Sequence, residues 1–368
     1  MRIIQISSFY PPKTGGMQNC VKEISEQLAL KGQMVDVYTT DIDCDYKYKS
    51  TQFLRIHYLK GFVFANITFI PTLFFNLLKI PKNSIMHVHT PRPFASEVVM
   101  IVSKLRNIPY VVHVHGDVEA SSKFGVFLPL YKKYIYKKVL QHAGKIICLS
   151  ESYKEFISKK YQVNNIIIIQ SGVNDMFFLK KNNGHDSTIN LLYVGRLAKE
   201  KNLHVLIEAV SLIKYPVILH IVGDGYMKDQ LQKLVTNNNI KNVIFHGKKN
   251  SKDILQYYKL ADIFLLASSY EGLPLVLLEA MASGTPIVAS DVLGIHDLLE
   301  GIGVLVNPPT IDNFRKSIEY LIENNKLRKS LGIKGVEYAK NFKWSRVVKS
   351  LEDVYINVIN NHNKALKK

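Results

Sequence analysis

The chain has 368 residues, too many for one ordinary hydrophobic core and enough for two domains of the usual size. With 47% hydrophobic and 21% charged residues both domains can be globular, and a net charge of +18 points to anionic partners: nucleic acid, phospholipid headgroups or phosphorylated small molecules. Cys20, Cys44 and Cys148 are far apart and form no Cys-x-x-Cys pair, which excludes a disulfide framework and a zinc ribbon and suggests a reduced cytosolic compartment.

The opening Met1-Arg-Ile-Ile-Gln-Ile-Ser-Ser reads as a buried first strand, without the apolar core and cleavage site of a signal peptide. Short β-rich runs then alternate with amphipathic helical patterns, which predicts an α/β protein with parallel sheets and crossover helices. A first series of strands is expected near 2–7, 34–40, 53–59, 85–89, 110–114, 145–149 and 166–170. A second is expected near 190–195, 217–222, 243–246, 263–266, 286–290 and 303–306. The polar run Lys180-Lys-Asn-Asn-Gly-His-Asp-Ser-Thr188 reads as the linker between them. Domains are therefore expected at 1–178 and 188–343, followed by a helix within 344–368 with apolar Val347, Val348, Leu351, Val354, Tyr355 and Val358.

Two segments of the first domain are aromatic. Residues 62–80 form the most apolar stretch, but Asn66, Pro71 and Asn76 interrupt it and it falls short of a membrane span. Residues 123–138 interleave aromatics with lysines at helical spacing, which suits either a solvated surface helix or a basic face resting on an anionic bilayer.

Several motifs can carry chemistry. After the first strand, Gly15 and Gly16 open a helix, where backbone amides can approach a phosphate, although a plain tight turn explains them equally. They are not the spaced three-glycine fingerprint of a nicotinamide dehydrogenase. His87 and His89 on one strand and His113 and His115 on another could share a face; no carboxylate or cysteine completes a ligand set, and no metal is expected. Gly195, Arg196, Lys199 and Lys201 follow a strand and enter a helix, so Arg196 and Lys201 can bring two cations to one phosphate group, while Lys199 also fits a solvated surface. Val222-Gly223-Asp224-Gly225 and Phe245-His246-Gly247-Lys248 are further strand-end turns.

The most informative run is Glu271-Gly272-Leu273-Pro274-Leu275-Val-Leu-Leu-Glu279-Ala-Met-Ala-Ser-Gly-Thr-Pro. It sets one glutamate in a loop and a second on the helix that the loop opens, near the positive end of the helix dipole. Carboxylates accept hydrogen bonds from vicinal hydroxyls and a helix amino terminus faces anions, a combination that suits a sugar nucleotide. Either glutamate alone would more often be a helix cap than a ligand, and it is the pairing that points to the sugar nucleotide.

This ordered string resembles the sugar-nucleotide motif of the family-four glycosyltransferases, retaining enzymes with the GT-B fold. The resemblance implies two Rossmann-like domains facing each other across a cleft, with a C-terminal helix crossing back to the first domain. Gly15 and Gly16 would meet the donor diphosphate, as would Arg196 and Lys201 of Gly195-Arg196-x-x-x-x-Lys201, where Asn202 replaces the usual glycine. Gly223, Gly247 and Lys248 would line the nucleotide. His115 would reach the transferred sugar, with His113 structural, and Glu271 would contact sugar hydroxyls and Glu279 the ribose. The implied activity moves a hexose or N-acetylhexosamine from a nucleotide diphosphate sugar, expected to be UDP-linked, to a sugar or lipid-linked sugar of a bacterial envelope glycan.

No cofactor and no metal are expected. Asp41-Ile-Asp43 has the spacing of a metal-binding pair but is placed in a turn after the second strand. An anionic membrane surface is an expected partner, nucleic acid is not, and the expected location is the cytoplasm or the inner face of the cell membrane. A sugar-nucleotide epimerase of the same fold, or a basic binding module without catalysis, would share much of this pattern.

Overall fold

The computed structural model describes residues 1–13, 15–44, 46–64, 67–90, 93–116, 128–179, 188–250, 252–271 and 274–367. The chain divides into two compact units, Met1–Ser171 with Trp344–Lys368, and Gly172–Lys343. Almost all of the expected linker, residues 180–187, lies outside the described residues, as do 123–127 of the basic aromatic segment.

In chain order the first unit contains β1 Arg2–Ile6, α1 Gly16–Leu30, β2 Met34–Thr40, β3 Leu54–Leu59, β4 Phe62–Phe64, β5 Ile67–Phe69, α2 Leu73–Leu77, β6 Ser84–Thr90, α3 Ala95–Arg106 and β7 Tyr110–Val114. It continues through α4 Leu128–Tyr131, α5 Lys137–His142, β8 Lys145–Cys148, α6 Glu151–Tyr161 and β9 Ile166–Ile168. The second unit contains β10 Ile189–Val194, α7 Leu203–Ser211, β11 Val217–Val222, α8 Lys228–Asn237, β12 Val243–Gly247, α9 Leu255–Leu260, β13 Ile263–Leu266 and α10 Leu275–Ala282. Then come β14 Ile287–Ser290, α11 His296–Leu299, β15 Val304–Val306, α12 Ile311–Glu323 and α13 Asn325–Ala339, and α14 Trp344–Leu366 returns to the first unit.

The first sheet is parallel, in the order β3-β2-β1-β6-β7-β8-β9. Both faces are covered, which is why its strands read as apolar runs rather than alternating ones. Ile4, Ile6, Met86, Val88, Val112 and Ile146 pack on one face with Val99 of α3, Leu140 of α5 and Ile157 of α6. The alternate residues Ile3, Ile85, Val111 and Ile147 pack on the other with α1 and with Val348, Leu351 and Tyr355 of α14. Helix α14 is also pinned by Lys31, whose ammonium lies 2.7 Å from the Glu352 carboxylate.

Two local features differ from the sequence expectation. The apolar stretch 62–80 holds the antiparallel hairpin β4–β5, with Phe62, Val63 and Phe64 exposed at 53%, 46% and 58%, before the short α2. Between α4 and α5 the segment Lys132–Tyr136 winds as one π-helical turn, so the lysine-aromatic run is not a single regular helix.

The second sheet is also parallel, in the order β12-β11-β10-β13-β14-β15. Its strand order reverses between β10 and β13, and in an open α/β sheet the loops leaving two such strands diverge and leave a crevice at their carboxyl ends. The first sheet has the same kind of switch point between β1 and β6.

Candidate functional site

In the second unit several of the sequence-predicted residues follow the two strands beside that reversal, while Gly247 and Lys248 lie at the end of the edge strand β12. Gly195, Arg196 and Lys201 follow β10, and Glu271 follows β13 on the other side of the reversal. Lys201 Nζ donates to Glu271 Oε1, with the two side chains only 17% and 13% exposed. Ser268 Oγ donates to the same carboxylate oxygen at 2.7 Å. The loop is fixed further by Asn202, whose amide donates to Ala267 O at 3.1 Å and to Ser269 Oγ at 2.8 Å.

Arg196 and Lys201 therefore each face a carboxylate. Arg196 Nη2 lies 2.7 Å from Glu200 Oε1 but stays 68% exposed, so its guanidinium can leave that partner at small cost. Ser268 and Glu200 were not picked out from the sequence. Ser268, three residues before Glu271, was the more legible of the two; Glu200 is one of many surface acids next to lysines.

The glycines have a packing role as well. A Cβ on Gly223, at φ +151, would lie 1.8 Å from Gly195 O, so the turns after β10 and β11 touch backbone to backbone and tolerate no side chain between them. Leu197 N donates to Asp224 O at 2.9 Å across the same contact. Gly247 ends β12 at φ +67, and Lys248 beside it is exposed. Pro274 precedes α10 in an extended conformation and Leu275 is its first residue, while Gly272 and Leu273 lie outside the described residues.

Glu279 sits in the second turn of α10, and its Oε2 accepts from Tyr258 OH of α9 at 2.7 Å. Burial raises this carboxyl to about 7 despite that hydrogen bond. Glu271 thus lies in the loop before α10 and Glu279 on the helix that the loop opens, one turn in from its amino end. Tyr258, twenty-one residues away, carried no sequence signal.

In the first unit Gly15 caps α1 and Gly16 is its first residue. A Cβ built on Gly16 meets nothing within 4 Å, leaving that amide approachable. Asp43 pairs with Lys13 at 2.6 Å and Asp41 Oδ1 accepts from Gly61 N at 3.3 Å, so the two acids of Asp41-Ile-Asp43 serve separate local contacts.

The four histidines do share a face, on the side of the sheet covered by α14. His89 is paired in register with His113, and the ligand-capable nitrogens of His87, His89 and His113 all lie within 4.8 Å of one another. Their rings, however, stack close to parallel, at 5° for His87 on His113, 27° for His87 on His89 and 31° for His89 on His113. In-plane lone pairs of such rings run side by side, whereas a transition metal needs them to converge at about 2.0–2.1 Å.

Hydrogen bonds organise the group instead. His115 Nε2 lies 2.9 Å from His89 Nδ1, His89 Nε2 lies 2.7 Å from Gln5 Oε1, and His87 Nδ1 lies 2.6 Å from Tyr355 OH of α14. Burial pushes His87, His89 and His113 well below the ordinary histidine range and His115 down to about 3, so all four are neutral at physiological pH. Among the described residues, His87 Nε2 and both ring nitrogens of His113 have no partner. No helix of the described residues is long and apolar enough to cross a membrane.

Comparison with known proteins gives two family matches that together span most of the chain. Residues 14–176 match Glycosyltransferase Family 4 and residues 175–338 match Glycosyl transferases group 1. A glycosyltransferase of Methanocaldococcus jannaschii is 26% identical over 96% of this chain and 98% of its own length. The UDP-Gal:alpha-D-GlcNAc-diphosphoundecaprenol alpha-1,3-galactosyltransferase of Escherichia coli is 29% identical over 78% of this chain and 79% of its own length. Among solved structures, sucrose-phosphate synthase from Thermosynechococcus elongatus superposes with a TM-score of 0.78 at 22% identity, over 98% of this chain and 99% of that one, so the fold is shared.

Proposed function

The chain belongs to the family 4, group 1 glycosyltransferases with the GT-B fold, and from that membership we propose that it is a retaining enzyme transferring a hexose or N-acetylhexosamine from a UDP-sugar to a sugar or lipid-linked sugar of a bacterial envelope glycan. The observation that carries this reading is the Lys201–Glu271 pair spanning the switch point of the second sheet, with Arg196 exposed beside it. The site thereby offers cations for a diphosphate and a carboxylate for sugar hydroxyls. The alpha-galactosyltransferase relative, named for a UDP-sugar donor and a diphosphoundecaprenol-linked acceptor, supports the donor and acceptor classes.

In this reading donor binding redistributes an existing network. Lys201 and Arg196 turn from their carboxylate partners to the diphosphate, and Glu271, freed from Lys201, accepts from hydroxyls of the transferred sugar. The bond from the anomeric carbon to the diphosphate oxygen breaks while the acceptor oxygen bonds that carbon from the same face. The acceptor proton passes to an oxygen of the departing diphosphate. The two cations and the amino end of α10 stabilise the charge that develops there, which is work a divalent metal would otherwise do. Glu279, Gly223, Gly247 and Lys248 hold the nucleoside, Gly15 and Gly16 approach the diphosphate, and His115 contacts the transferred sugar.

The membrane side of the proposal rests on the first unit. The exposed strand β4 of the hairpin, with Leu130, Tyr134 and Ile135 exposed at 56%, 56% and 45% in the segment that holds Lys132 and Lys133, offers apolar and basic groups to an anionic bilayer at its inner face. Assaying UDP release from a panel of sugar nucleotides, with and without a lipid-linked sugar acceptor, tests the assignment. Release that requires acceptor is expected; conversion of the donor without acceptor would make the protein an epimerase.

A further inference from the structure

We propose that His89, Gln5 and Tyr355 are positioning residues that hold His115 in one tautomer, protonated on Nε2, so that its Nδ1 is left as a hydrogen-bond acceptor for a hydroxyl of the transferred sugar. This rests on the reading of His115 as a contact to that sugar.

The argument follows from donors and acceptors. A neutral imidazole has one donor and one acceptor nitrogen, and a carbonyl oxygen only accepts. Gln5 Oε1, 2.7 Å from His89 Nε2, therefore requires the proton of His89 on Nε2. His89 Nδ1 is then bare and, at 2.9 Å, accepts from His115 Nε2. The single proton of the neutral His115 ring is thus committed to Nε2, and Nδ1 keeps its lone pair.

The amide of Gln5 is held from its other end. Its Nε2 donates to Tyr355 OH at 3.5 Å, and that hydroxyl donates to His87 Nδ1 at 2.6 Å. Every bond in the series His115, His89, Gln5, Tyr355, His87 thus donates in the same direction, and each member supports the orientation of the next. Gln5 and Tyr355 are fully buried and His89 is 3% exposed, so water does not offer substitute partners. Three elements contribute, β1, β6 and α14, and the last belongs to a segment about 350 residues further along the chain than Gln5. An arrangement this closed fixes one ring nitrogen of His115 before substrate arrives, which removes a reorganisation step from sugar binding.

Long-range ¹⁵N–¹H correlation spectra of histidine-labelled protein report which ring nitrogen carries the proton, and His115→Ala assigns the signal. The wild type is expected to show His115 protonated on Nε2; a proton on Nδ1 overturns the proposal without any variant. Gln5→Met keeps volume but removes the acceptor, and is expected to turn His115 into a tautomer mixture and to lower kcat about tenfold at nearly constant donor KM, the loss of one well-placed hydrogen bond. Tyr355→Phe, which keeps the packing of α14, should move both readouts in the same direction to a smaller extent. Folded variants with an unchanged His115 spectrum and unchanged kcat would refute the positioning role. Full turnover by His115→Ala would instead refute the sugar contact, while the wild-type spectrum would still decide the tautomer.

Discussion

Lys201 and Glu271 are joined across the point where the second sheet reverses its strand order, and Ser268 donates to the same carboxylate oxygen at 2.7 Å. A cation and an anion that ligand binding is proposed to separate are thus stored as each other's partner. The pair keeps two mostly covered charges from being left alone, since an unpaired buried charge is costly.

The cations can be told apart by what each holds in the free protein. Arg196→Ala and Lys201→Ala should each lose about 10- to 100-fold in kcat/KM, the equivalent of one charge-assisted phosphate contact of roughly 1.5–3 kcal/mol. Their melting temperatures should diverge, because Arg196 is 68% exposed and its pair with the 22%-exposed Glu200 is partly solvated, whereas Lys201 and Glu271 are only 17% and 13% exposed and removing Lys201 strands a more covered carboxylate. Calorimetric melting and steady-state kinetics check both halves. Wild-type turnover from either variant would take that residue out of the site.

The two glutamates should separate kinetically. Glu271→Gln keeps shape but weakens contacts to sugar hydroxyls, so it should depress kcat more than donor affinity if those contacts tighten in the transition state. Glu279→Gln should act chiefly on donor Kd through the ribose. Single-turnover rates beside isothermal titration distinguish them, and equal effects of the two changes on Kd and kcat would void the division of roles.

Glu279 also makes a pH prediction. Its carboxyl is raised to about 7 by burial, so the folded protein holds a proton there that the unfolded chain has already lost. The sign follows: between the unfolded value of 4.5 and about 7 the unfolded state binds fewer protons, and this group's contribution to stability declines as pH rises through that window. Donor affinity should run the other way. Ribose hydroxyls donate best to the ionised carboxylate, and the diphosphate diester of a sugar nucleotide does not titrate in this range, so Kd should tighten as pH rises through about 7 and level off above it. Titration calorimetry from pH 5.5 to 8.5 checks the slope, which Glu279→Gln should flatten.

Stereochemistry and metal use test the chemistry itself. The product should keep the anomeric configuration of the donor, α from an α-linked sugar nucleotide, and turnover should survive excess EDTA because Arg196, Lys201 and the helix dipole carry the diphosphate charge. The anomeric proton in the NMR spectrum of the product decides the first point. A β product, or a strict requirement for Mg²⁺ or Mn²⁺ in the chemical step, would remove the retaining, metal-independent assignment.

Membrane attachment is the remaining outcome. Flotation with anionic vesicles should show binding that weakens as salt rises, since attraction between lysine and headgroup is screened over about 10 Å at 0.1 M ionic strength. Replacing Lys132, Lys133, Lys137 and Lys138 with glutamine should reduce it, and Phe62→Ser with Phe64→Ser should reduce what salt does not. A wild type that never floats at low salt favours a soluble acceptor.

Much of this was legible in the sequence, for a physical reason. Parallel strands buried on both faces must be apolar throughout and must be separated by crossover helices, so the two strand series, and the apolar stripe of α14, are written as local patterns. The string from Glu271 to Pro286 was readable likewise, because loop, helix and following strand are contiguous. What only the tertiary structure decided is pairing between distant residues. Periodicity says that Glu271 is in a loop and Lys201 enters a helix; it does not say that strand order brings the loops after β10 and β13 together so that the two side chains pair. Nor does any local signal link Tyr258 to Glu279, or Gln5 to Tyr355 and the histidines between them. Hydrogen bonds and desolvation act over a few ångströms in space whatever the separation along the chain, and they set the charge of Glu279 and the neutral state of His115 only once the sheets have formed.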